Sequence, residues 1–189
     1  MERGKILIIS GPSGAGKSTV VQEFLHRTPV SFHCSVSSTT RSPRPGEQDG
    51  VNYHFISAAA FEQKRNQGDF LESFQVFGSG AWYGTSVEEV EPWLERGSWV
   101  LLEIDVRGAA EIRRRYGSEV VSVFISPGSL EILEQRLRGR KTETEEQIAV
   151  RLKRAEEELQ SAKEYSYTVI NNAVAEAADA ICQIVAKEA

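Results

Sequence analysis

The feature that most constrains the fold is a strand that leads straight into a glycine-rich loop and then into a helix. Residues 5–10 read Lys-Ile-Leu-Ile-Ile-Ser, a short apolar run that Gly11 and Pro12 interrupt. Such a run is typical of a parallel strand buried on both faces. A helical pattern over residues 17–27 follows. This arrangement predicts an α/β fold in which strands and helices alternate.

The loop between this strand and this helix matches the pattern G-x-x-x-x-G-K-[ST] of a phosphate-binding loop, or P-loop. Glycines let such a loop wrap so that its backbone N–H groups and the positive end of the helix face one anion. The motif predicts that Lys17 reaches the β- and γ-phosphates of a nucleoside triphosphate and that Ser18 binds Mg²⁺. An ordinary glycine-rich turn is the alternative, but the strand–loop–helix context argues against it. The predicted phosphate-binding residues are Gly11, Pro12, Ser13, Gly14, Ala15, Gly16, Lys17, Ser18 and Thr19.

The rest of the chain continues the alternation, except in its middle part. Further buried strands are predicted over residues 99–105, 120–125 and 167–170, and helices over residues 108–116, 129–140, 145–164 and 173–187. The middle part has an aromatic segment, a helix and a strand, over residues 51–56, 58–67 and 70–77. We therefore predict a small α+β insertion of residues 35–90 in a core made of residues 1–34 and 91–189, with a helical lid at about 136–151.

Composition and charge exclude several classes of protein. The 189 residues include 22 Lys and Arg against 27 Asp and Glu, which gives a net charge of −5. No apolar run approaches the ~20 residues that a membrane span needs, and a net acidic chain is atypical of nucleic-acid-binding proteins. Cys34 and Cys182 lie far apart in the sequence, which fits reduced thiols better than a disulfide framework. We expect a cytoplasmic protein whose partners include neither nucleic acid nor a membrane.

Two groups of arginines suggest further anion-binding sites. Arg136 and Arg140 are one helical turn apart, and Arg151 follows after a polar loop; such a helix–loop–helix suits a lid that closes on a transferring phosphoryl group. The alternative there is a solvated helix face with Glu–Arg pairs. Arg41 and Arg44 lie in a proline-stiffened loop that can clamp an anion, with an ordinary surface loop as the alternative. Together with the P-loop, these groups fit a kinase whose acceptor is itself a phosphate.

With these motifs the chain resembles guanylate kinase, a nucleoside-monophosphate kinase, over nearly its whole length. The resemblance lies in residues 10–19, 36–47, 52–55, 68–72, 83–85, 102–108, 133–140, 142–146 and 169–171. Its Thr-Arg-x-Pro-Arg loop and its Thr-Glu-Thr-Glu-Glu loop are not general features of P-loop proteins. The resemblance implies a P-loop parallel sheet flanked by helices, with a small α+β insertion that binds the nucleoside monophosphate and a helical lid.

The resemblance also implies roles for individual residues. The residues similar to those that hold the GMP phosphate are Arg41, Arg44, Tyr53 and Tyr83, and those similar to the guanine-binding ones are Ser37, Glu72 and Thr85. Arg136, Arg140 and Arg151 are similar to the lid arginines, and Asn171 to a residue that contacts adenine. The predicted catalytic residues are these three arginines and Lys17 of the P-loop. Glu103 is expected at the GMP site and Asp105 at the Mg²⁺ ion through water; Glu103 could instead orient the water shell of that ion. Burial of these strand-end acids for other structural reasons is the alternative.

Glu72 has a clear chemical rationale as a guanine-binding residue. Guanine presents N1–H and N2–H donors that one carboxylate accepts together, whereas adenine offers no such pair and would leave a buried carboxylate unpaired. The chain departs from the family pattern at three places. It carries about two extra residues between Glu72 and Tyr83, Glu103 stands where Asp is frequent, and Arg107 stands where Gln is frequent.

The predicted reaction is ATP + GMP ⇌ ADP + GDP, with Mg²⁺ as the cofactor that accompanies ATP and dGMP as a further acceptor. No general base is needed, because a phosphate acceptor is mostly ionised at neutral pH. A kinase for another nucleoside monophosphate is one alternative, which Glu72 and Ser37 disfavour. The other is a guanylate-kinase-like binding module that recognises phosphorylated peptides without catalysis. Such a module needs neither Lys17, nor Ser18, nor the lid arginines.

Overall fold

The structure is a computed structural model that describes residues 3–76, 80–139 and 144–189. The strands are β1 (Ile6–Ser10), β2 (Phe32–Cys34), β3 (Ser38–Thr39), β4 (His54–Phe55), β5 (Phe70–Gln75), β6 (Trp82–Ser86), β7 (Trp99–Glu103), β8 (Val120–Ser126) and β9 (Tyr167–Ile170). The α-helices are α1 (Lys17–Arg27), α2 (Ala58–Gln67), α3 (Glu91–Glu95), α4 (Val106–Tyr116), α5 (Leu130–Gly139), α6 (Glu145–Gln160) and α7 (Val174–Glu188). None of these described helices is both long enough and apolar enough to cross a bilayer.

The strands form two sheets. The larger sheet has the strand order β2-β7-β1-β8-β9, and the smaller has the order β4-β3-β6-β5. In the larger sheet β2 pairs in parallel with β7, and β8 pairs in parallel with β9. Every residue of β1 is buried, as expected for a strand that is covered on both faces. The predicted α/β fold, a parallel sheet flanked by helices, is confirmed.

The chain divides into two compact units. The first unit comprises Met1–Ile6, Phe32–Leu102 and Arg107–Val120, and the second comprises Leu7–Ser31, Glu103–Val106 and Val121–Ala189. The smaller sheet lies entirely in the first unit. There β5 and β6 form an antiparallel hairpin in which Glu72 lies opposite Thr85.

In the second unit, α1 packs against α7 and α5 packs against α6. Leu133 and Leu137 of α5 form a buried cluster with Ile148 and Ala155 of α6. A capping box starts α6: Thr144 and the third helical residue, a glutamine, exchange side-chain to backbone hydrogen bonds. These bonds satisfy N–H groups that the first helical turn would otherwise leave without a partner. The two capping residues therefore determine where α6 begins.

Most predicted elements are confirmed to within one or two residues, and the differences arise at element ends. The helix predicted over residues 145–164 is α-helical to Gln160 and ends in a 3₁₀ turn, Ser161–Glu164, a tighter winding that is common at helix termini. The strand predicted over residues 99–105 ends at Glu103, because α4 already begins at Val106. Arg140 and Phe77, the last residues of a predicted helix and a predicted strand, lie outside the described residues.

Candidate active site

The glycine-rich loop connects β1 to α1 within the second unit. A Cβ atom at Gly11 would lie 2.2 Å from the carbonyl oxygen of Ile125 in β8. Gly14 has a φ of +94°, and a Cβ atom there would lie 2.9 Å from Leu133 of α5. Because no side chain fits at either position, glycine is what permits the tight path of the loop. The first turn of α1 carries no acidic residue, so its positive end has no carboxylate of its own to neutralise it.

Lys17 is the first residue of α1 and is half-buried. Its Nζ donates to the carbonyl oxygens of Gly11 at 2.6 Å and Pro12 at 3.1 Å. Burial lowers the pKa of Lys17, and nearby carboxylates oppose that shift, namely those of Glu103, Glu158 and Asp105. The ammonium group is thus held over the loop by neutral acceptors, and a phosphate can replace these acceptors with charge-assisted hydrogen bonds.

Oxygen atoms suited to magnesium lie beside the loop. Ser18 Oγ donates to Glu103 Oε1 at 2.6 Å, and Asp105 follows two residues later in the same unit. The structure therefore places Glu103, which is expected at the GMP site or alternatively at the water shell of Mg²⁺, next to Ser18. Mg²⁺ prefers oxygen ligands and is usually held by one or two protein groups together with waters and substrate phosphates. A hydroxyl group and carboxylates at the end of the loop fit this preference.

A cavity of about 370 Å³ opens beside the loop in the second unit. Asn171, buried just after β9, donates its side-chain amide to the carbonyl oxygen of Ala15 at 2.8 Å. Arg136 of α5 donates to the carbonyl oxygens of Asn171 at 2.6 Å and Ala15 at 3.4 Å. The side chains of Asn171 and Arg136 therefore both donate to the P-loop at the carbonyl oxygen of Ala15. The cavity is lined by Gly14, Gly16, Thr19, Arg136, Asn171, Asn172 and Val174.

Of the other two arginines of the predicted lid, the structure describes Arg151. Arg151 lies in the first half of α6 and is half-buried. It precedes Glu158 by two helical turns, so both residues lie on one face of the helix. Glu158 acts electrostatically on Lys17, which indicates that this face of α6 is directed towards the P-loop. Arg140 lies outside the described residues.

In the first unit, the guanidinium group of Arg41 is hydrogen-bonded along its edges and lies near aromatic rings with its face. Its Nη1 and Nη2 donate to the two carboxylate oxygens of Glu47 at 2.6 and 2.7 Å, and its Nε donates to Tyr83 Oη at 3.0 Å. The guanidinium carbon lies 4.9 Å from the ring centre of Tyr53 and 5.5 Å from that of Phe55. A planar cation fixed in this way has little rotational freedom left to lose when it binds a phosphate.

Glu47 forms an ion pair with Arg41 and leaves the loop with one net positive charge, that of Arg44. Besides Arg41, it accepts a hydrogen bond from the backbone N–H of Arg44 at 2.7 Å. These two hydrogen bonds lower the pKa of Glu47 to about 2, and the hydrogen bonds to Glu47 and Tyr83 raise the pKa of Arg41. The pair is therefore ionised throughout the physiological pH range. The side chain of Arg44 is exposed, so its guanidinium is accessible to an anion from solvent.

The predicted phosphate-holding tyrosines lie together beside Arg41. Tyr53 and Tyr83 meet edge to face, with 5.7 Å between their ring centres. Because Tyr83 Oη accepts from Arg41 Nε, its own hydroxyl hydrogen points away from the guanidinium. The structure thus brings together all four residues assigned to the GMP phosphate, since Arg44 belongs to the same loop as Arg41.

The predicted guanine-binding residues meet on the small sheet. Thr85 Oγ1 donates to Glu72 Oε1 at 2.6 Å, and both residues are buried, with 0% and 6% of their surface exposed. A buried carboxylate requires such hydrogen-bond donors to keep its charge. On the other side of β6, Ser38 of β3 lies opposite Gly84 in an antiparallel pair. Ser37 directly precedes β3, and its carbonyl oxygen accepts from the backbone N–H of His54 at 2.9 Å.

Comparison with known proteins agrees with this arrangement. The family model described as Guanylate kinase matches residues 3–188. The chain belongs to the guanylate kinase family. A guanylate kinase of Rhodopirellula baltica is 49% identical over 181 residues, 96% of this chain and 87% of that protein, and one of Fusobacterium nucleatum is 44% identical over 185 residues, 98% and 97% of the two chains. The crystal structure of guanylate kinase from Anaplasma phagocytophilum superposes with a TM-score of 0.80 at 33% identity, covering 100% of this chain and 87% of that chain.

In this member of the guanylate kinase family, Glu47 is a site residue that the sequence predictions do not name. The sequence signal for Glu47 is its position three residues after Arg44 in the same short loop. In the structure its backbone N–H donates to the Arg44 carbonyl oxygen at 3.0 Å, which closes a turn. Phe55, under the guanidinium of Arg41, is also absent from the predictions. Its signal is weaker, since an aromatic residue in a short strand is usually part of the core.

The two departures from the guanylate kinase pattern near Glu72 lie around the end of β5. The backbone N–H of Val76 donates to the carbonyl oxygen of Ala81 at 2.9 Å, so the hairpin remains closed at this point; residues 77–79 lie outside the described residues. Arg107 of α4 donates to the carbonyl oxygen of Gln75 at 3.2 Å, and its guanidinium lies 4.4 Å from the ring centre of Phe74. Arg107 therefore holds the last two residues of β5.

Proposed function

We propose that the protein transfers the γ-phosphoryl group of ATP to GMP, giving ADP and GDP, and that dGMP is a further acceptor. The family supports this ATP:GMP phosphotransferase activity. The observation that supports guanine as the base is the buried Glu72 carboxylate within the insertion of residues 35–90. Thr85 donates a hydrogen bond of 2.6 Å to this carboxylate. One carboxylate accepts from N1–H and N2–H of guanine together, whereas adenine would leave it unpaired. Ser37, which directly precedes β3, completes the proposed guanine site.

The arginine loop supports binding of the GMP phosphate. Guanidinium groups bind phosphate oxygens through paired N–H donors. The paired donors of Arg41 are held by Glu47 and Tyr83, so in the proposal the phosphate replaces the Glu47 carboxylate as their acceptor. In the proposal Arg44, Tyr53 and Tyr83 add donors around the same phosphate. The charge of the loop attracts the dianionic acceptor and holds its oxygens for in-line attack on ATP.

On the ATP side, we assign the triphosphate to the backbone N–H groups of residues 11–19 and to Lys17, and the adenine to the cavity beside Asn171. Arg136, Arg140 and Arg151, in a lid at about 136–151, stabilise the charge on the transferring phosphoryl group. Ser18, together with Glu103 and Asp105 through water, would hold Mg²⁺. When bound, this ion neutralises charge on the β- and γ-phosphate oxygens. The acceptor is ionised at neutral pH, so no protein group has to remove a proton.

We further propose that the partners are these small molecules, without nucleic acid or a membrane, and that the protein acts in the cytoplasm. The net charge of −5 supports the first point, because nucleic acids and most cytoplasmic membrane surfaces are anionic. The free state of Cys34 and Cys182 fits a reducing compartment.

Release of ADP, measured with GMP, dGMP, AMP, CMP and UMP in parallel, tests the proposed function. We expect turnover with GMP and dGMP, and a kcat/KM for AMP that is lower by about 10⁴-fold, as for a site built to hydrogen-bond its substrate. Comparable values for GMP and AMP would contradict the guanine assignment. No turnover with any acceptor would favour the alternative, a binding module without catalysis.

A further inference from the structure

Gly108 leaves room for the Glu72 carboxylate. This glycine is buried in the first turn of α4, and it is not among the glycines with positive φ. The three heavy atoms nearest to a Cβ atom built at Gly108 all belong to Glu72: Oε2 at 2.9 Å, Cδ at 3.0 Å and Cγ at 3.5 Å. The distances to Oε2 and Cδ are shorter than the 3.5–4.0 Å or so of favourable carbon contacts. The carboxylate therefore occupies the volume that a side chain at position 108 would fill.

The Glu72 carboxylate is held from two sides. On one side Thr85, its partner across the β5–β6 hairpin, donates to Oε1 at 2.6 Å. On the other side Oε2 lies against the first turn of α4, at Gly108. This turn has no acidic residue of its own, so Glu72 brings a negative charge to the positive end of the helix. The orientation of the carboxylate thus depends on both Thr85 and the missing side chain of Gly108.

We propose that Gly108 determines base specificity: because position 108 carries no side chain, the Glu72 carboxylate lies flat against α4 in the orientation that binds guanine. This inference rests on the proposed role of Glu72 in guanine binding. Gly108 touches no substrate in this account. It is a positioning residue that acts through Glu72.

The effect of Gly108 on the position of Glu72 can be distinguished from an effect on folding. Alanine in a helix is ordinarily more favourable than glycine, and the atoms in its way at position 108 are the end of a side chain rather than backbone. Gly108→Ala can therefore fold by displacing the Glu72 carboxylate. We expect this variant to keep or raise Tm and to lose guanine discrimination, a combination that a purely structural glycine would not produce.

A double-mutant cycle on Gly108→Ala and Glu72→Asp tests the proposal, with kcat/KM for GMP and AMP, KM for ATP and Tm measured for each variant. Misplacing a binding group by about 1 Å can cost on the order of 10²-fold, so we expect Gly108→Ala to lower kcat/KM for GMP by about 10- to 100-fold, mainly through KM for GMP. KM for ATP should not change. Asp is one methylene shorter and leaves space for the new Cβ atom, so the double variant should lose at least about 10-fold less than the product of the two single losses.

Ala110→Gly provides a matched control. Ala110 is exposed on α4 two residues from Gly108, so this change alters the helix in the opposite sense and on another face. It should lower Tm without changing the ratio of kcat/KM for GMP to that for AMP. A change of this ratio in Ala110→Gly equal to that in Gly108→Ala would show that helix stability sets the preference, and would overturn the proposal.

The remaining outcomes distinguish this inference from the proposed function. If Glu72→Gln leaves the GMP-to-AMP ratio unchanged, the guanine role of Glu72 fails, and the role of Gly108 fails with it. If Glu72→Gln changes the ratio but Gly108→Ala does not, or if the two losses in the cycle simply multiply, only the role of Gly108 is contradicted. Should Gly108→Ala fail to fold, recovery of folding in the double variant would support the steric relation, and no recovery would contradict it.

Discussion

The P-loop region of the second unit and the proposed GMP-binding region of the first unit hold their charged groups in different ways. In the P-loop region, Lys17 and Arg136 donate to backbone carbonyl oxygens. In the GMP-binding region, Arg41 is bound to the Glu47 side chain, and Glu72 to that of Thr85. Backbone groups are the same in every residue, so these contacts suit phosphate, which carries no information about the base. The second region uses individual side chains, and a single substitution there can change what is bound.

The largest effect that this comparison predicts is the loss of turnover in Lys17→Ala. The ammonium group is held by neutral acceptors beside the loop, ready to bind the transferring phosphoryl group. An arginine that stabilises the charge of the transferring phosphoryl group is worth about 10³- to 10⁵-fold in kcat, and we expect the loss of Lys17 to be of this order. Steady-state kinetics and circular dichroism should show that loss with an intact fold. Lys187→Ala, a change of an exposed lysine in α7, is the control; wild-type kcat in Lys17→Ala would contradict the assignment.

The next effect is on base choice, in Glu72→Gln. The amide removes the charge and turns one acceptor oxygen into a donor, which then faces a donor of guanine. A charge-assisted hydrogen bond is worth roughly 1.5–3 kcal/mol and an unsatisfied buried donor about 1–3 kcal/mol more, so kcat/KM for GMP should fall by roughly 10²- to 10⁴-fold. AMP should gain relative to GMP. If Glu72 only stabilises the insertion, Tm falls while the GMP-to-AMP ratio stays the same.

The smallest predicted effect is a pH dependence of stability that comes from Glu47. Its pKa is about 2 in the folded protein, against an ordinary value of 4.5. The folded state therefore resists protonation, and the stabilising contribution is complete above pH 4.5 and is lost as the pH falls towards 2. The Tm difference between the wild type and Glu47→Gln should be constant near neutral pH and shrink between about pH 5 and pH 2. A difference that grows on acidification would show that the ion pair with Arg41 does not stabilise the fold.

The two regions also differ in how far the sequence predicts them. Lys17 and Ser18 are identified by a contiguous motif, because the chemistry of phosphate binding requires a local loop geometry. The Arg41–Glu47 pair was within reach of sequence reasoning, since it lies in one short loop. The contact of Asn171 with Ala15, and that of Gly108 with Glu72, join residues far apart in the chain. Such contacts depend on how helices and strands pack, which neither spacing nor composition determines.

Titration calorimetry of ATP and of GMP against the wild type, Lys17→Ala and Glu72→Gln tests the central claim most directly, namely that the two nucleotides are bound by separately built regions. A charge-assisted hydrogen bond of roughly 1.5–3 kcal/mol corresponds to about 10- to 100-fold in Kd. We expect Lys17→Ala to weaken ATP binding by that factor and to leave GMP binding unchanged. Glu72→Gln, which also leaves a donor of guanine unsatisfied, should weaken GMP binding by roughly 10²- to 10⁴-fold and leave ATP binding unchanged. Equal weakening of both nucleotides in either variant would contradict the account.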